Sequence, residues 1–227
     1  MSTPESSIEG MLSDGSVIVR GLQESDAPDM AAAVGVGEYA VWESEPGPYS
    51  LERAVRVVRT YERGLRQLQK AAFAVLDAVT GDFVGSIVLI SGGPQSAHDD
   101  EDLPVWLTVP DAVEIACWTR SEARGKGYAT RAVQLLSKWA LDELGLSCVW
   151  IEIAPGNMAA ERVADKAGFV LEVLANDHCL DPESGEPHDC LIYARLLGEE
   201  PPELAAFHVD DDYEDDEDGD EAGGGGI

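Results

Sequence analysis

The chain has 227 residues, of which 44% are hydrophobic, so its length and composition predict one domain of ordinary size with a buried core. Its 44 acidic and 15 basic residues give a net charge of −29, which argues against a nucleic-acid partner, because phosphate backbones select basic surfaces. No apolar run has the length of a membrane span, and residues 1–9 lack the features of a signal peptide, so we expect a cytoplasmic protein without a membrane partner.

The acidic residues are concentrated at the C-terminal end. Residues 199–227 contain 13 acidic residues and no Lys or Arg. Such a segment buries too little apolar surface to offset the entropy of ordering, so we expect a disordered acidic tail. We assign residues 1–14 to a flexible N-terminus, which leaves residues 15–198 as one folded domain without internal repeats.

Hydrophobic periodicity and turn residues predict the elements of this domain. In chain order, the predicted elements are a strand at 17–19, helices at 26–36 and 50–68, strands at 72–76, 83–90 and 113–118, a helix at 127–144, a strand at 148–153, a helix at 157–167, and strands at 170–175 and 190–196. Asp26 and Ser50 are the predicted caps of the first two helices. This order indicates an α/β protein in which a mixed sheet carries helices on both faces. Residues 91–111 form a long polar insertion, and such loops are often functional.

Residues 114–129 carry the clearest chemical signal, because a strand there leads into a loop with two glycines that opens a helix. Gly125 and Gly127 let the backbone approach a ligand closely. The first turn of a helix presents unpartnered amides at its positive end, which suits a phosphate or pyrophosphate. The basic residues that lie nearby are Arg120, Arg124, Lys126 and Arg131. A tight turn with solvated charges would show the same composition.

Two common phosphate-binding loops do not fit this segment. Thr130 stands where the dinucleotide-binding fingerprint requires its third glycine. Lys126 is followed by Gly127, and no earlier glycine has the spacing of a P-loop.

Residues 124–129 (Arg-Gly-Lys-Gly-Tyr-Ala) match [QR]-x-x-G-x-[GA], the acetyl-coenzyme A signature of the GNAT acetyltransferase superfamily. Four further parts resemble its ribosomal-protein N-acetyltransferase branch: Val19-Arg20 with Asp26-Ala27, residues 48–52, Asn157 with residues 162–169, and residues 188–196. The resemblance covers nearly the whole predicted domain. It implies a GNAT-like fold, with a mostly antiparallel central sheet, helices on both faces and a splayed, V-shaped cofactor cleft.

The resemblance also implies an N-acetyltransferase that moves an acetyl group from acetyl-CoA to a primary amine by direct attack. Acetyl-CoA would lie between the strand of Glu114 and the strand of Cys148, with its pyrophosphate on the amides of residues 125–129. The residues implied to bind it are Cys117, Trp118, Thr119, Arg124, Gly125, Lys126, Gly127, Tyr128, Ala129 and Asn157.

Glu114 matches a strand position that serves as general base in some family members. The alternative is a carboxylate that only hydrogen-bonds the acceptor or a neighbouring strand. On the acid side the chain departs from the family, because Ala160 and Ala164 occupy the positions where a Ser or a Tyr usually protonates the leaving thiolate. Tyr193 is the candidate replacement, and water is the alternative.

The acceptor site has aromatic candidate walls at Trp42, Tyr49, Trp106 and Trp118, although such residues more often belong to a core. Acidic residues at 43, 45 and 99–102 would attract a cationic amine, unless they are only solvated surface. A basic protein N-terminus, a polyamine and an aminoglycoside all fit. The alternatives to an enzyme are a non-catalytic CoA-binding or interaction module, and an adaptor whose acidic tail engages a basic partner.

The cysteines, Cys117, Cys148, Cys179 and Cys190, form no C-x-x-C pair, and we expect no structural disulfide in a reducing compartment. His178, Cys179, His188 and Cys190 lie on the two arms of a predicted hairpin. Their spacing matches no standard zinc site, and alternate residues of a strand point to opposite faces, so we predict no metal there.

Overall fold

The computed structural model describes residues 10–33, 50–67, 70–91, 111–180 and 186–199, which form an eight-stranded sheet and four helices. The strands are β1 (Leu12–Ser13), β2 (Val17–Gly21), β3 (Lys70–Asp77), β4 (Phe83–Ser91), β5 (Ala112–Thr119), β6 (Cys148–Ile153), β7 (Val170–Leu180) and β8 (Pro187–Leu196). The helices are α1 (Ala27–Ala33), α2 (Leu51–Gln67), α3 (Tyr128–Asp142) and α4 (Met158–Lys166). No helix in the described part of the chain is both long and apolar enough to cross a bilayer.

The caps of the first two helices differ in their agreement with the sequence. Ser50 caps α2 as predicted, because its Oγ accepts a hydrogen bond from the Arg53 amide at 3.2 Å. Asp26 instead ends a short 3-10 turn before α1. Its carboxylate accepts hydrogen bonds from both terminal nitrogens of Arg20 and from the Gln23 amide. Asp26 therefore holds the chain that leads into α1, and it does not cap the helix itself.

The strands are arranged in the order β1-β2-β3-β4-β5-β6-β8-β7. Neighbours pair antiparallel except β5 and β6, which are parallel. The predicted mixed, mostly antiparallel sheet is therefore confirmed, including the hairpin of β3 and β4. The sheet also begins earlier in the chain than expected. Leu12 of β1 pairs with Val19 of β2, although Leu12 lies in the segment 1–14 assigned to a flexible N-terminus.

The parallel pair separates after three residues. Ala112, Val113 and Glu114 of β5 pair with residues 148–150 of β6, but the two strands continue to Thr119 and Ile153 without pairing to each other. The backbone groups that face this gap have no partner across it and are available to a ligand. The V-shaped cleft is thus present, with Glu114 at its apex.

The core has a layer on each face of the sheet. On one face, Ile115 and Val149 pack with Leu136 of α3. On the other face, Ala116 and Trp118 pack with the residues that α1 and α2 bury. Because strand residues alternate between faces, Glu114 points to the α2 side, together with Ala116 and Trp118.

Candidate active site

The loop between β5 and α3 has the backbone geometry of an anion site. Gly125 and Gly127 adopt left-handed φ angles of 75° and 77°, and Gly127 is the N-cap of α3. A Cβ placed on either glycine would meet no heavy atom within 4 Å, so the φ angle, and not crowding, favours glycine here. The space beside the loop stays open to a ligand. The amides of the first turn, at Tyr128 and Ala129, have no intrahelical partner.

Tyr128 holds the start of α3 against the turn between β3 and β4. Its hydroxyl donates a hydrogen bond to Asp77 Oδ2. The other oxygen of Asp77 accepts from the amides of Val79 and Thr80 at 2.7 Å and 2.9 Å. The Asp77 carboxylate raises the pKa of Tyr128 to about 12, and the same bond lowers the pKa of Asp77. The phenol is therefore neutral and serves to position the loop.

The basic side chains around the loop are not equivalent. Arg131 forms an ion pair with Asp14 at 2.7 Å, and Arg120 forms one with Glu122 at 3.1 Å. Lys126 is exposed and has no ion pair within the residues that the structure describes. Since the charges of these two arginines are already compensated, the exposed Lys126 is better suited than either of them to a phosphate group.

The strand end beside the loop carries three more of the residues implied to bind the cofactor. The Thr119 carbonyl accepts a hydrogen bond from Arg124 Nε at 3.2 Å, which ties the loop to β5. Cys117 packs against the core of the α3 face, and burial raises the pKa of its thiol to about 11. Trp118 is buried on the opposite face. A thiol that stays protonated is a poor nucleophile.

Glu114 lies half-buried where β5 and β6 separate. Burial and the negative charge of Glu152 raise the pKa of Glu114 to about 7, against an opposite effect of Lys70 on β3. A carboxyl group with a pKa near the working pH is suited to general base catalysis. The role of Glu114 as general base stays a prediction, beside the alternative of a carboxylate that only hydrogen-bonds the acceptor or a neighbouring strand.

Glu152 is a second carboxylate of the cleft, and the sequence reasoning missed it. It lies on β6, just past the last residue paired with β5. Its oxygens lie 3.1 Å from His178 Nε2 and 3.4 Å from Cys179 Sγ. Burial raises the pKa of Glu152, and the contact with His178 opposes that effect. The sequence signal that could have identified Glu152 is that it is the single acidic residue in the otherwise apolar strand β6.

The residues considered for the general acid lie on α4 and β8. Asn157 caps α4, and its Oδ1 accepts from the Ala160 amide at 3.2 Å. Tyr193 is buried in the core layer to which Ala160 also belongs. Burial, together with the nearby carboxylates of Asp165 and Glu161, raises the pKa of the Tyr193 hydroxyl. Tyr193 is therefore protonated at neutral pH and lies beside the first turn of α4.

The acceptor walls predicted at Trp42, Tyr49 and Trp106 lie outside the described residues, as do the acidic residues at 43, 45 and 99–102. The same holds for residues 200–227 of the predicted acidic tail. Trp118, the remaining candidate wall, is a described residue, and its ring is buried on the face that α1 and α2 cover.

The expectation of no disulfide is wrong for one cysteine pair. Cys179 and Cys190 are joined, with their Cα atoms 6.1 Å apart. Cys117 and Cys148 are free. The expectation rested on the redox state of the compartment, whereas the pairing of β7 with β8 brings these two side chains together.

The alternation argument also fails on β7. The register between β7 and β8 shifts between Ala175 and Cys179, and Asp177 has a left-handed φ of 52°. Such a bulge re-aims the residues that follow it. As a result, the adjacent residues His178 and Cys179 both contact Glu152.

A family model described as an acetyltransferase (GNAT) domain matches residues 16–170. This range includes β5, the glycine loop, α3 and β6. Among curated proteins, YdaF of Bacillus subtilis (strain 168), provisionally named as a ribosomal N-acetyltransferase, is 38% identical over 86 residues. That match covers 38% of this chain and 46% of YdaF, so less than half of that relative is matched.

Two solved structures share the fold. The ribosomal-protein-S5-alanine acetyltransferase of Vibrio fischeri is 18% identical, with a TM-score of 0.65, over 85% of this chain and 100% of that one. RimJ of Mycobacterium smegmatis, in complex with a CoA disulfide, is 18% identical, with a TM-score of 0.64, over 82% of this chain and 86% of that one. At these identities the likeness shows the architecture alone.

Proposed function

Because the chain belongs to the GNAT acetyltransferase family, we propose that it transfers the acetyl group of acetyl-CoA directly to a primary amine. The observation that carries this proposal is the position of Glu114. Its carboxyl group lies where β5 and β6 separate, on the strand that leads into the glycine loop. This position would bring a general base together with an open strand edge and an anion site in one cleft.

The described residues fit acetyl-CoA. The amides of residues 125–129 and the exposed Lys126 would hold the pyrophosphate, and the unpaired edge of β5, from Cys117 to Thr119, offers backbone groups to the pantetheine arm. Asn157 stands across the cleft as the cap of α4. The chemistry that acetyl-CoA supplies is a thioester carbonyl open to attack by a nucleophile.

Glu114 is proposed to take the proton of the attacking amine. An amine acceptor is mostly protonated at neutral pH, so proton removal must precede or accompany its attack. A carboxyl group with a pKa of about 7 is partly ionised at that pH and still basic enough to help. The nearby charge of Glu152 would also favour a cationic acceptor.

Tyr193 is proposed to protonate the departing thiolate. It is buried and protonated, and it lies in the same core layer as Ala160, one of the positions where the family places its acid. Water is the competing donor.

Direct attack is favoured over an acyl-enzyme. Burial raises the pKa of Cys117 to about 11 and that of Cys148 to about 12, so neither free thiol supplies a useful thiolate at neutral pH. The acceptor amine is then the nucleophile.

The acceptor class is proposed to be the basic N-terminus of a protein. The cleft carries two carboxylates, Glu114 and Glu152, and the names of YdaF and of the Vibrio fischeri enzyme concern ribosomal acetylation. Polyamines and aminoglycosides are also cationic, so charge alone does not separate them from a basic N-terminus.

The test measures CoA thiol release with basic N-terminal peptides, polyamines and aminoglycosides. Each peptide is matched by the same peptide with a blocked N-terminus, for which no release is expected.

The second candidate is a CoA-binding module without turnover, which Ala160 and Ala164 motivate. It predicts acetyl-CoA binding by calorimetry and no thiol release with any acceptor. Release with open peptides but not with blocked ones would exclude it.

A further inference from the structure

We propose that the chain, when reduced, binds a Zn²⁺ ion through Glu152, Cys179 and Cys190. Each of these residues offers one ligand atom, and the three atoms lie within 4.8 Å of one another. They come from three neighbouring strands, β6, β7 and β8, on the face of the sheet to which Cys148 and Trp150 contribute.

The bulge in β7 creates this cluster. Cys190 of β8 pairs with Ala175, whereas Cys179 pairs with His188, so the register shifts between them. With Asp177 in the left-handed region, Cys179 turns towards the carboxylate of Glu152. In a regular strand, Cys179 would point away from its neighbour His178, and the two could not share one carboxylate.

His178 supplies the outer shell that metal ligands commonly have. Its side chain is 1% exposed, and its Nε2 lies 3.1 Å from Glu152 Oε1. A buried imidazole in this position fixes the orientation of the carboxylate, as outer-shell partners do in metalloproteins. The other histidine of the hairpin, His188, is not among the three residues of the cluster, and its Nδ1 lies 2.8 Å from the carbonyl oxygen of Asp189.

The ligand set selects the metal. Two thiolates suit a soft or borderline cation, whereas Mg²⁺ and Ca²⁺ require oxygen ligands. Zn²⁺ accepts sulfur together with a carboxylate oxygen, and three protein ligands leave one tetrahedral position for water or an exogenous ligand. This arrangement is that of an open zinc site.

The disulfide and the metal exclude each other. In the structure, Cys179 and Cys190 are bonded, so a reductant must first break the S–S bond. A dithiol supplies two electrons and two protons, is itself oxidised to a cyclic disulfide, and leaves two protein thiols. Zn²⁺ then displaces one proton from each thiol. The same two strands are thus cross-linked by a covalent bond in the oxidised chain and by the metal in the reduced chain.

The test uses the full chain and Zn²⁺ alone. The chain is reduced with excess dithiol, freed of reductant without oxygen, equilibrated with Zn²⁺ and analysed for bound metal. We expect one Zn²⁺ per reduced chain and none per disulfide-bonded chain. Co²⁺ in place of Zn²⁺ should give a thiolate-to-metal charge-transfer band. If the reduced chain does not bind one Zn²⁺, the proposal is overturned. This outcome does not depend on whether the chain has acetyltransferase activity.

The variants identify the ligands. Cys179→Ser and Cys190→Ser should each weaken the charge-transfer band, the double variant should abolish it, and His178→Ala should weaken Zn²⁺ binding by roughly 10- to 100-fold. Cys117→Ala is the matched control and should bind as the wild type does, because Cys117 packs against the core on the opposite face of the sheet.

Glu152→Gln tests the carboxylate without removing a sulfur. It keeps both cysteines, and re-formation of the disulfide on oxidation shows that the β7–β8 pairing is intact. We expect it to lose Zn²⁺ affinity. Unchanged affinity in this variant, or equal losses in Cys117→Ala and Cys179→Ser, overturns the assignment.

Discussion

The hydroxyl of Tyr128 and the carboxylate of Asp77 are hydrogen-bonded across 51 residues of sequence. This bond joins the first residue of α3 to the last residue of β3, just before the turn into β4. It therefore connects the proposed pyrophosphate loop to β3, which is two strands away from β5 in the sheet. The geometry of the loop therefore depends on Asp77, which lies outside the acetyl-CoA signature at residues 124–129.

Tyr128→Phe should weaken acetyl-CoA binding modestly, by about three- to tenfold, because the ring still packs but no longer holds the start of α3. Calorimetry measures the change. In a double-mutant cycle, Asp77→Asn should add little to Tyr128→Phe, since the two changes remove one interaction. Additive losses would show that the bond does not position the loop.

Gly127→Asp should abolish measurable acetyl-CoA binding, because it combines a left-handed φ of 77° with a negative charge at the anion site. Gly127→Asn is the matched control, since Asn tolerates this φ better than most residues and carries no charge. We expect Asn to retain more affinity than Asp in calorimetry. A folded Asp variant with wild-type affinity would contradict the loop assignment.

Glu114→Gln should lower turnover by roughly 10²-fold or more, the usual effect of losing a positioned base. The wild-type rate should rise with pH through about 7, since Glu114 acts only when ionised and its pKa is about 7. The variant should lose that inflection, and higher pH should recover part of its rate as solvent deprotonates the amine. Turnover is measured from pH 6 to 9, and wild-type rates throughout would make Glu114 a structural carboxylate.

The same substitution should stabilise the fold at high pH. The pKa of Glu114 is raised by folding, so its contribution to stability is present at low pH and is lost as pH rises towards and through about 7. Glu114→Gln should therefore melt a few degrees above the wild type at pH 8, since about 1 kcal/mol corresponds to roughly 2–4 °C in domains of 150–250 residues. The difference should shrink at pH 5, and an equal difference at both values would argue against a raised pKa.

Tyr193→Phe should lower turnover by roughly 10²-fold if its hydroxyl protonates the thiolate, with little change in acetyl-CoA affinity. Phe preserves the packing against α4, so the fold should persist. Ala160→Ser in the same chain supplies a hydroxyl near the first turn of α4 and should restore part of the rate. A Tyr193→Phe enzyme with wild-type turnover would leave water as the donor.

Local sequence determined most of the secondary structure and the glycine loop. Ser50 and the glycines at 125 and 127 act through neighbours a few residues away, so the sequence pattern alone predicts their roles. The family signature at 124–129 is local for the same reason. It could not reveal the Asp77 bond to Tyr128, which depends on how β3, β4 and α3 pack.

Tertiary structure alone decided the electrostatics of the cleft and the cysteine cluster. The pKa of Glu114 depends on its burial and on Glu152, which lies 38 residues further along the chain, and both follow from where β5 and β6 stop pairing. The approach of Cys179 to Cys190 and Glu152 depends on a register shift of β7 against β8. Register and desolvation are properties of paired strands and packed layers, and spacing along one strand does not encode them.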